Sequence, residues 1–98
     1  MMSKGYWVIV FHGIKDEDKL EAYKKLAGPV LRAQNAKYLV RGMPNKVYEN
    51  GLTERAVIVE FESLDKAIAV YESSEYQAAL KVLGDGAKRD VRIIEGIS

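Results

Sequence analysis

Ninety-eight residues is the length of one domain, 1–98, and at that size folding buries only about two thirds of the surface that the unfolded chain exposes. With 48% hydrophobic and 30% charged residues, the composition excludes disorder. Fifteen basic against fourteen acidic residues exclude the broad positive field that nucleic acid or an anionic membrane requires, and the lack of cysteine excludes disulfides, thiolate metal sites and a cysteine nucleophile.

The chain opens on Met1-Met2-Ser3-Lys4-Gly5 and the run Tyr6–His12, too short for a signal peptide or a membrane span. A cysteine-free chain also suits a reducing compartment, so a cytoplasmic protein is expected. Tyr6–His12, β-branched and aromatic between Gly5 and Gly13, is a buried strand. Asp16-Glu17-Asp18 then opens a helix, Asp18 and Glu21 forming a capping box, and Leu20, Tyr23, Ala27, Val30 and Leu31 face the sheet at helical spacing. Gly28-Pro29 predicts a kink or a restart, because proline removes a helix hydrogen bond and crowds the preceding turn. Asn35 is a left-handed helix terminator, and Lys37–Arg41 alternates as the second strand, ending at Gly42.

The turn dipeptides Pro44-Asn45 and Asn50-Gly51 make residues 42–53 a long hairpin connection to a third strand, Arg55–Phe61. Ser63 caps a helix with the apolar stripe Leu64, Ala67, Ile68 and Tyr71, and Ser74–Gln77 is a capping box for a further helix carrying Ala79, Leu80 and Leu83. Gly84-Asp85-Gly86 ends it, and Val91–Glu95 is the fourth strand. The order β-α-β-β-α-β predicts an α+β, ferredoxin-like sandwich: one antiparallel sheet with its helices on one face.

In such a sheet the uncovered face alternates to polar residues. Here one face of the first strand carries Tyr6, Val8 and Val10, the other Trp7, Ile9 and Phe11, and the third strand adds Ala56 and Ile58. The helices cover only one of these faces, so the other predicts a homodimer packed sheet to sheet; the competing reading folds the long connection and the C-terminus over it.

Lys4-Gly5-Tyr6-Trp7, Tyr38–Gly42, Glu54–Phe61, Ser63, Ala67, Tyr71, Ser74-Glu75-Tyr76-Gln77 and Ile94-Glu95-Gly96 together resemble the domain-of-unknown-function family numbered thirteen-thirty, within the dimeric α/β-barrel superfamily. The resemblance spans almost the whole chain and implies the ferredoxin-like fold and the barrel dimer. Two positions depart from the family pattern, Met43 where a second glycine is common and Val70 where an aromatic is common. The resemblance brings no established activity: the superfamily includes small monooxygenases, lactone isomerases, haem-dependent enzymes and ligand-sensing domains.

Several residues carry candidate chemistry. His12 is the single histidine, a residue type suited to a general base or a haem ligand; a polar strand-end residue is the plainer reading. Glu60, on the apolar face of the third strand, is an acid or base if buried, or else the ion-pair partner of Arg41 or Arg92. Arg41 and Arg55 flank one connection and would grip a carboxylate or phosphate through the planar guanidinium fork, unless Glu54, Glu60 or Glu95 pairs with them. Trp7, Tyr38 and Tyr71, with Tyr76, line an apolar pocket or simply fill the core. No metal site and no cofactor are expected, and the third strand lacks the alternating aromatics of an RNA-binding platform.

The resulting expectation is a homodimer that binds a small organic molecule, an anionic one favoured by the two arginines, in a pocket by the sheet. One alternative is a cofactor-free monooxygenase or isomerase that moves a proton with His12 or Glu60. The other is an interaction module with no cavity.

Overall fold

The computed structural model describes residues 3–97. Its elements are β1 (Gly5–Ile14), α1 (Glu17–Ala33), β2 (Lys37–Gly42), β3 (Ala56–Phe61), α2 (Leu64–Glu72), α3 (Ser74–Leu83) and β4 (Ala87–Glu95). The strands form one antiparallel sheet in the order β2-β3-β1-β4, the ferredoxin-like α+β arrangement.

Pairing register decides which side chains share a face, because residues directly opposite one another in an antiparallel ladder point the same way. On the helix side three rows cross the sheet: Tyr38–Val59–Trp7–Ile93, Arg41–Val57–Ile9–Val91, and Phe11–Arg89. The helices close over these rows, and the core gathers Trp7, Ile9, Phe11, Val57, Val59 and Phe61 from the strands with Leu20, Tyr23, Ala27, Leu31, Ala67, Val70, Tyr76, Ala79 and Leu83 from the helices. Trp7 is its centre: fully buried, its ring lies 4.8 Å from those of Phe61 and Tyr76, and its indole N–H donates to the Ala67 carbonyl at 2.9 Å. The other side carries Lys37–Glu60–Tyr6–Ile94, Val40–Ile58–Val8–Arg92 and Gly42–Ala56–Val10–Asp90.

Four local features differ from the pattern reading. Asp16, not Asp18, caps α1: its extended backbone lets the carboxylate accept from the amides of Asp18 and Lys19 at 3.0 and 3.2 Å. The helix then runs unbroken through Pro29, whose ring lies on the exposed side, where the carbonyl left without a donor can turn to water while buried Ala27 and Leu31 hold the turns on either side. Ser73 rather than Ser74 caps α3, its hydroxyl accepting from the Tyr76 amide. In α2 the buried stripe is Ala67 and Val70, and Ile68 turns outward.

β4 begins four residues earlier than the apolar run suggests, because Ala87 pairs with Ile14 and Lys88 with Gly13. The turn ahead of it is tight. The Gly86 carbonyl accepts from the amides of Lys15 and Asp16, and a Cβ at Gly86 would sit 2.7 Å from that of Lys19, so only glycine fits. Asn35 ends α1 at a positive φ of 56°.

Candidate functional site

Between the helix side of the sheet and α1 lies a cavity of about 200 Å³. Its floor is Trp7, Ile9, Phe11, Val57 and Val59, and its roof is the face of α1 that carries Tyr23, Ala27 and Leu31. A second stripe of the same helix, Lys24, Gly28 and Arg32, runs alongside at four-residue spacing and brings two cations to the rim. Gly28 keeps the roof high: a Cβ there would meet only the Arg32 guanidinium, at 3.4 Å.

β2 supplies the far wall through a bulge. Tyr38 pairs with Val59 and Val40 with Ile58, so Leu39 is the extra residue; strict alternation would separate Tyr38 from Arg41, but the bulge turns both to the helix side. The Arg41 guanidinium stacks over the Tyr38 ring, 4.8 Å from its centroid, and burial raises the Tyr38 phenol above its ordinary pKa. Phe11 is flanked by two arginines, Arg55 with its guanidinium carbon 6.0 Å from the ring and Arg89 at 5.9 Å. The Phe11 amide donates to the Arg55 carbonyl, which fixes Arg55 opposite Phe11 at the start of β3.

The charge in this cavity is one-sided. Lys24, Arg32, Arg41, Arg55 and Arg89 line it, and no aspartate or glutamate does. Among the described residues none of these four arginines forms an ion pair; in particular Glu54, Glu60 and Glu95 do not neutralise Arg41 or Arg55. Arg55 holds the one buried side-chain nitrogen among the described residues that lacks any hydrogen-bond partner, its Nε, at a cost of roughly 1–3 kcal/mol for an orphaned donor.

Arg89 donates from Nη1 to the Tyr23 hydroxyl at 3.2 Å, and that hydroxyl also hydrogen-bonds the hydroxyl of Tyr76. Burial, with Tyr23 beside it, pushes the Tyr76 phenol far above its ordinary range. Burial works against the charge on Arg89, but the two phenols more than offset it and hold its pKa above the usual arginine value.

Four of the residues singled out from sequence therefore meet at one cavity: Trp7, Tyr38, Arg41 and Arg55. Four lie elsewhere. Tyr76 is buried in the core beside Trp7 and does not line the cavity. Tyr71 packs edge-on against Trp7, ring centroids 5.6 Å apart, and does not line the cavity. His12 is the extra residue of a second bulge, between Phe11 and Gly13, and is exposed. Glu60 is on the open side, where it accepts from the Tyr6 hydroxyl at 2.9 Å; this bond raises the Tyr6 phenol. Glu60 pairs with neither arginine, because Arg41 points to the opposite face and Arg92 spends two nitrogens on Asp90, each at 3.0 Å.

Sequence reasoning passed over Tyr23, Lys24, Arg32 and Arg89. The helical residues were available from the two adjacent four-residue stripes. Arg89 needed β4 to be extended two residues back from Val91, onto the same face of the strand.

The family model described as Domain of unknown function (DUF1330) matches residues 4–97. The chain belongs to this family. No curated protein matches it significantly. Solved structures similar to this DUF1330 chain include a protein of unknown function from Rhodopseudomonas palustris, at 12% identity and a TM-score of 0.75 over 100% of this chain and 85% of that one. A dimeric ferredoxin-like protein of unknown function from Thermobifida fusca aligns at 16% identity and a TM-score of 0.60, covering 95% and 92% of the two chains. SnoaB, a cofactor-independent oxygenase from Streptomyces nogalater, aligns at 9% identity and a TM-score of 0.60 over 98% and 95%. At these identities the likeness is one of fold. Among the described residues no helix is long and apolar enough to cross a membrane, and no group of three or more His, Cys, Asp or Glu could hold a metal ion.

Proposed function

We propose that this DUF1330 protein is a cytoplasmic homodimer, each chain one domain, that binds a small organic anion in the cavity between the sheet and α1. One observation carries the ligand reading: five cationic side chains and no carboxylate line an apolar cavity, and one of them, Arg55, keeps a buried Nε–H without a partner. An arginine presents Nε–H and Nη–H as a parallel pair matched to a carboxylate, so an anion supplies the acceptor that the protein withholds. An interaction module with no ligand gives no reason to tolerate that orphaned donor.

The homodimer is supported by the open side of the sheet, where Val40 and Ile94 are about half exposed around the partly covered Tyr6, Val8 and Ile58. The Thermobifida fusca neighbour is itself dimeric. The enzyme reading, for which SnoaB is the model, ranks second, because His12 and Glu60, the groups suited to moving a proton, stand outside the cavity.

The test is calorimetric titration of the protein with small carboxylates, benzoate and acetate among them, against the double variant Arg41→Ala, Arg55→Ala. Carboxylate binding in the wild type that weakens more than tenfold in the variant is the expected result. Unchanged binding in the variant overturns the assignment, and so does a wild type that binds no carboxylate.

A further inference from the structure

The cavity's size, walls and hydrogen-bond donors narrow the class of anion, an inference that rests on the anion-binding reading above. About 200 Å³ is a small space. A cavity on the order of 150 Å³ holds one benzene ring, so this one encloses a single ring with one or two small substituents. The walls call for an apolar body: Trp7 and Phe11 in the floor, Tyr23 in the roof and Tyr38 at the side present aromatic surface, with Ile9 and Val57 between them. Inorganic phosphate can pair with the cations but has no apolar body to set against these rings, so the aromatic surface favours an anion that carries a ring.

The donors differ in kind. Arg55 offers a charged fork for an ionised acid. The second donor emerges from counting hydrogens in the Arg89–Tyr23–Tyr76 cluster. The guanidinium only donates, so the two phenolic hydrogens must be placed around two oxygens, and one of them lies between the two. Tyr76 is fully buried and, among the described residues, Tyr23 is the one acceptor its hydroxyl reaches, since Arg89 beside it only donates, so if Tyr23 were the donor the Tyr76 hydrogen would be stranded in the core. With Tyr76 donating, the Tyr23 oxygen accepts from both Tyr76 and Arg89, and its own hydrogen is free on a residue that lines the cavity. Tyr23 is then a neutral donor, preset by its two neighbours and separate from the Arg55 fork.

The geometry points to a single-ring organic acid that carries a second oxygen, of the hydroxybenzoate class, as the ligand: the carboxylate on Arg55, the second oxygen on the Tyr23 hydroxyl. Tyr23 is a positioning residue here, and no bond is made or broken.

The test titrates the full chain with benzoate, the three hydroxybenzoate isomers, 2-naphthoate, benzamide and inorganic phosphate, in the wild type and in Tyr23→Phe. The best hydroxybenzoate isomer is expected to bind about tenfold tighter than benzoate, and 2-naphthoate, benzamide and phosphate about tenfold weaker than benzoate. In Tyr23→Phe the hydroxyl advantage disappears, so that the best hydroxybenzoate isomer and benzoate bind with about the same affinity. Because Tyr23→Phe removes the acceptor of the buried Tyr76 hydroxyl, the double variant Tyr23→Phe, Tyr76→Phe, which strands no hydrogen, gives the same readout if the single variant does not fold. Naphthoate or phosphate binding as tightly as benzoate, or a hydroxyl advantage that is absent from the wild type or survives in the variants, overturns the inference and leaves the anion site standing. Failure of every acid to bind the wild type overturns both.

Discussion

The two faces of the sheet are built from the same strands and are almost equally apolar, yet they are treated differently. On the helix side Trp7, Ile9 and Phe11 are under 5% exposed and each is held by partners from two or more elements. On the open side Tyr6, Val8 and Val10, their immediate neighbours in sequence, stay partly exposed. Alternation alone does not separate the two. The choice is made by the helices, whose buried stripes meet one face, and by β3, which offers Val57, Val59 and Phe61 to that face and the smaller, partly charged set Ala56, Ile58 and Glu60 to the other. The helix side is a packed core that keeps a cavity beneath α1; the open side is the surface of the proposed dimer contact.

The sharpest way to break this comparison is at the core's centre. Trp7→Ala removes the largest fully buried side chain together with its hydrogen bond to the Ala67 carbonyl, and is expected to cost about 3–5 kcal/mol in urea denaturation, enough to unfold a marginal domain. Ile58→Lys on the open face should leave the far-ultraviolet dichroism unchanged but place a charge in the centre of the proposed dimer contact. Sedimentation velocity then reports one 11.0 kDa chain where the wild type sediments as two.

A smaller effect of opposite sign is expected at Gly28→Ala. Glycine inside a helix is about 0.5–1 kcal/mol less favourable than alanine, so Tm should rise, while the new methyl lowers the cavity roof and weakens binding of any ligand found. A variant both more stable and worse at binding marks this glycine as kept for the cavity.

The smallest effect is at Asp85, which the neighbouring Lys19 and Lys15 hold below the ordinary carboxylate pKa of 3.8. The folded state thus favours the ionised form. The stabilisation is complete above that ordinary value and fades as pH falls through the depressed one, so Asp85→Asn should lower Tm slightly at pH 7 and not at all near pH 2. Both partners are solvent-exposed, which keeps the difference small.

The element order and the outward apolar face could be read from the chain because they rest on local period and composition: β-branched runs between glycines, and capping serines ahead of helical stripes. What could not be read depended on pairing. Whether Tyr38 and Arg41 share a side is undecidable from residues 37–42 alone, since it turns on where β3 sits opposite them. Likewise Arg89 reads as part of a polar loop until Phe11 is found across from it, and Pro29 reads as a break until its exposed position on α1 is known. For the site, the residue types were visible in Arg41, Arg55, Trp7 and Tyr38; the hydroxyl pair Tyr23–Tyr76 was hidden because each looks like an ordinary core aromatic at helical spacing.

The bulge at Leu39 acts as a selector for charge at the site. If Leu39 instead took Ile58 as its partner in an unbroken ladder, each following pair would slip by one and Arg41 would come opposite Ala56, on the open side. The bulge thus keeps a cation at the cavity that a regular ladder of the same sequence would place on the opposite face of the sheet.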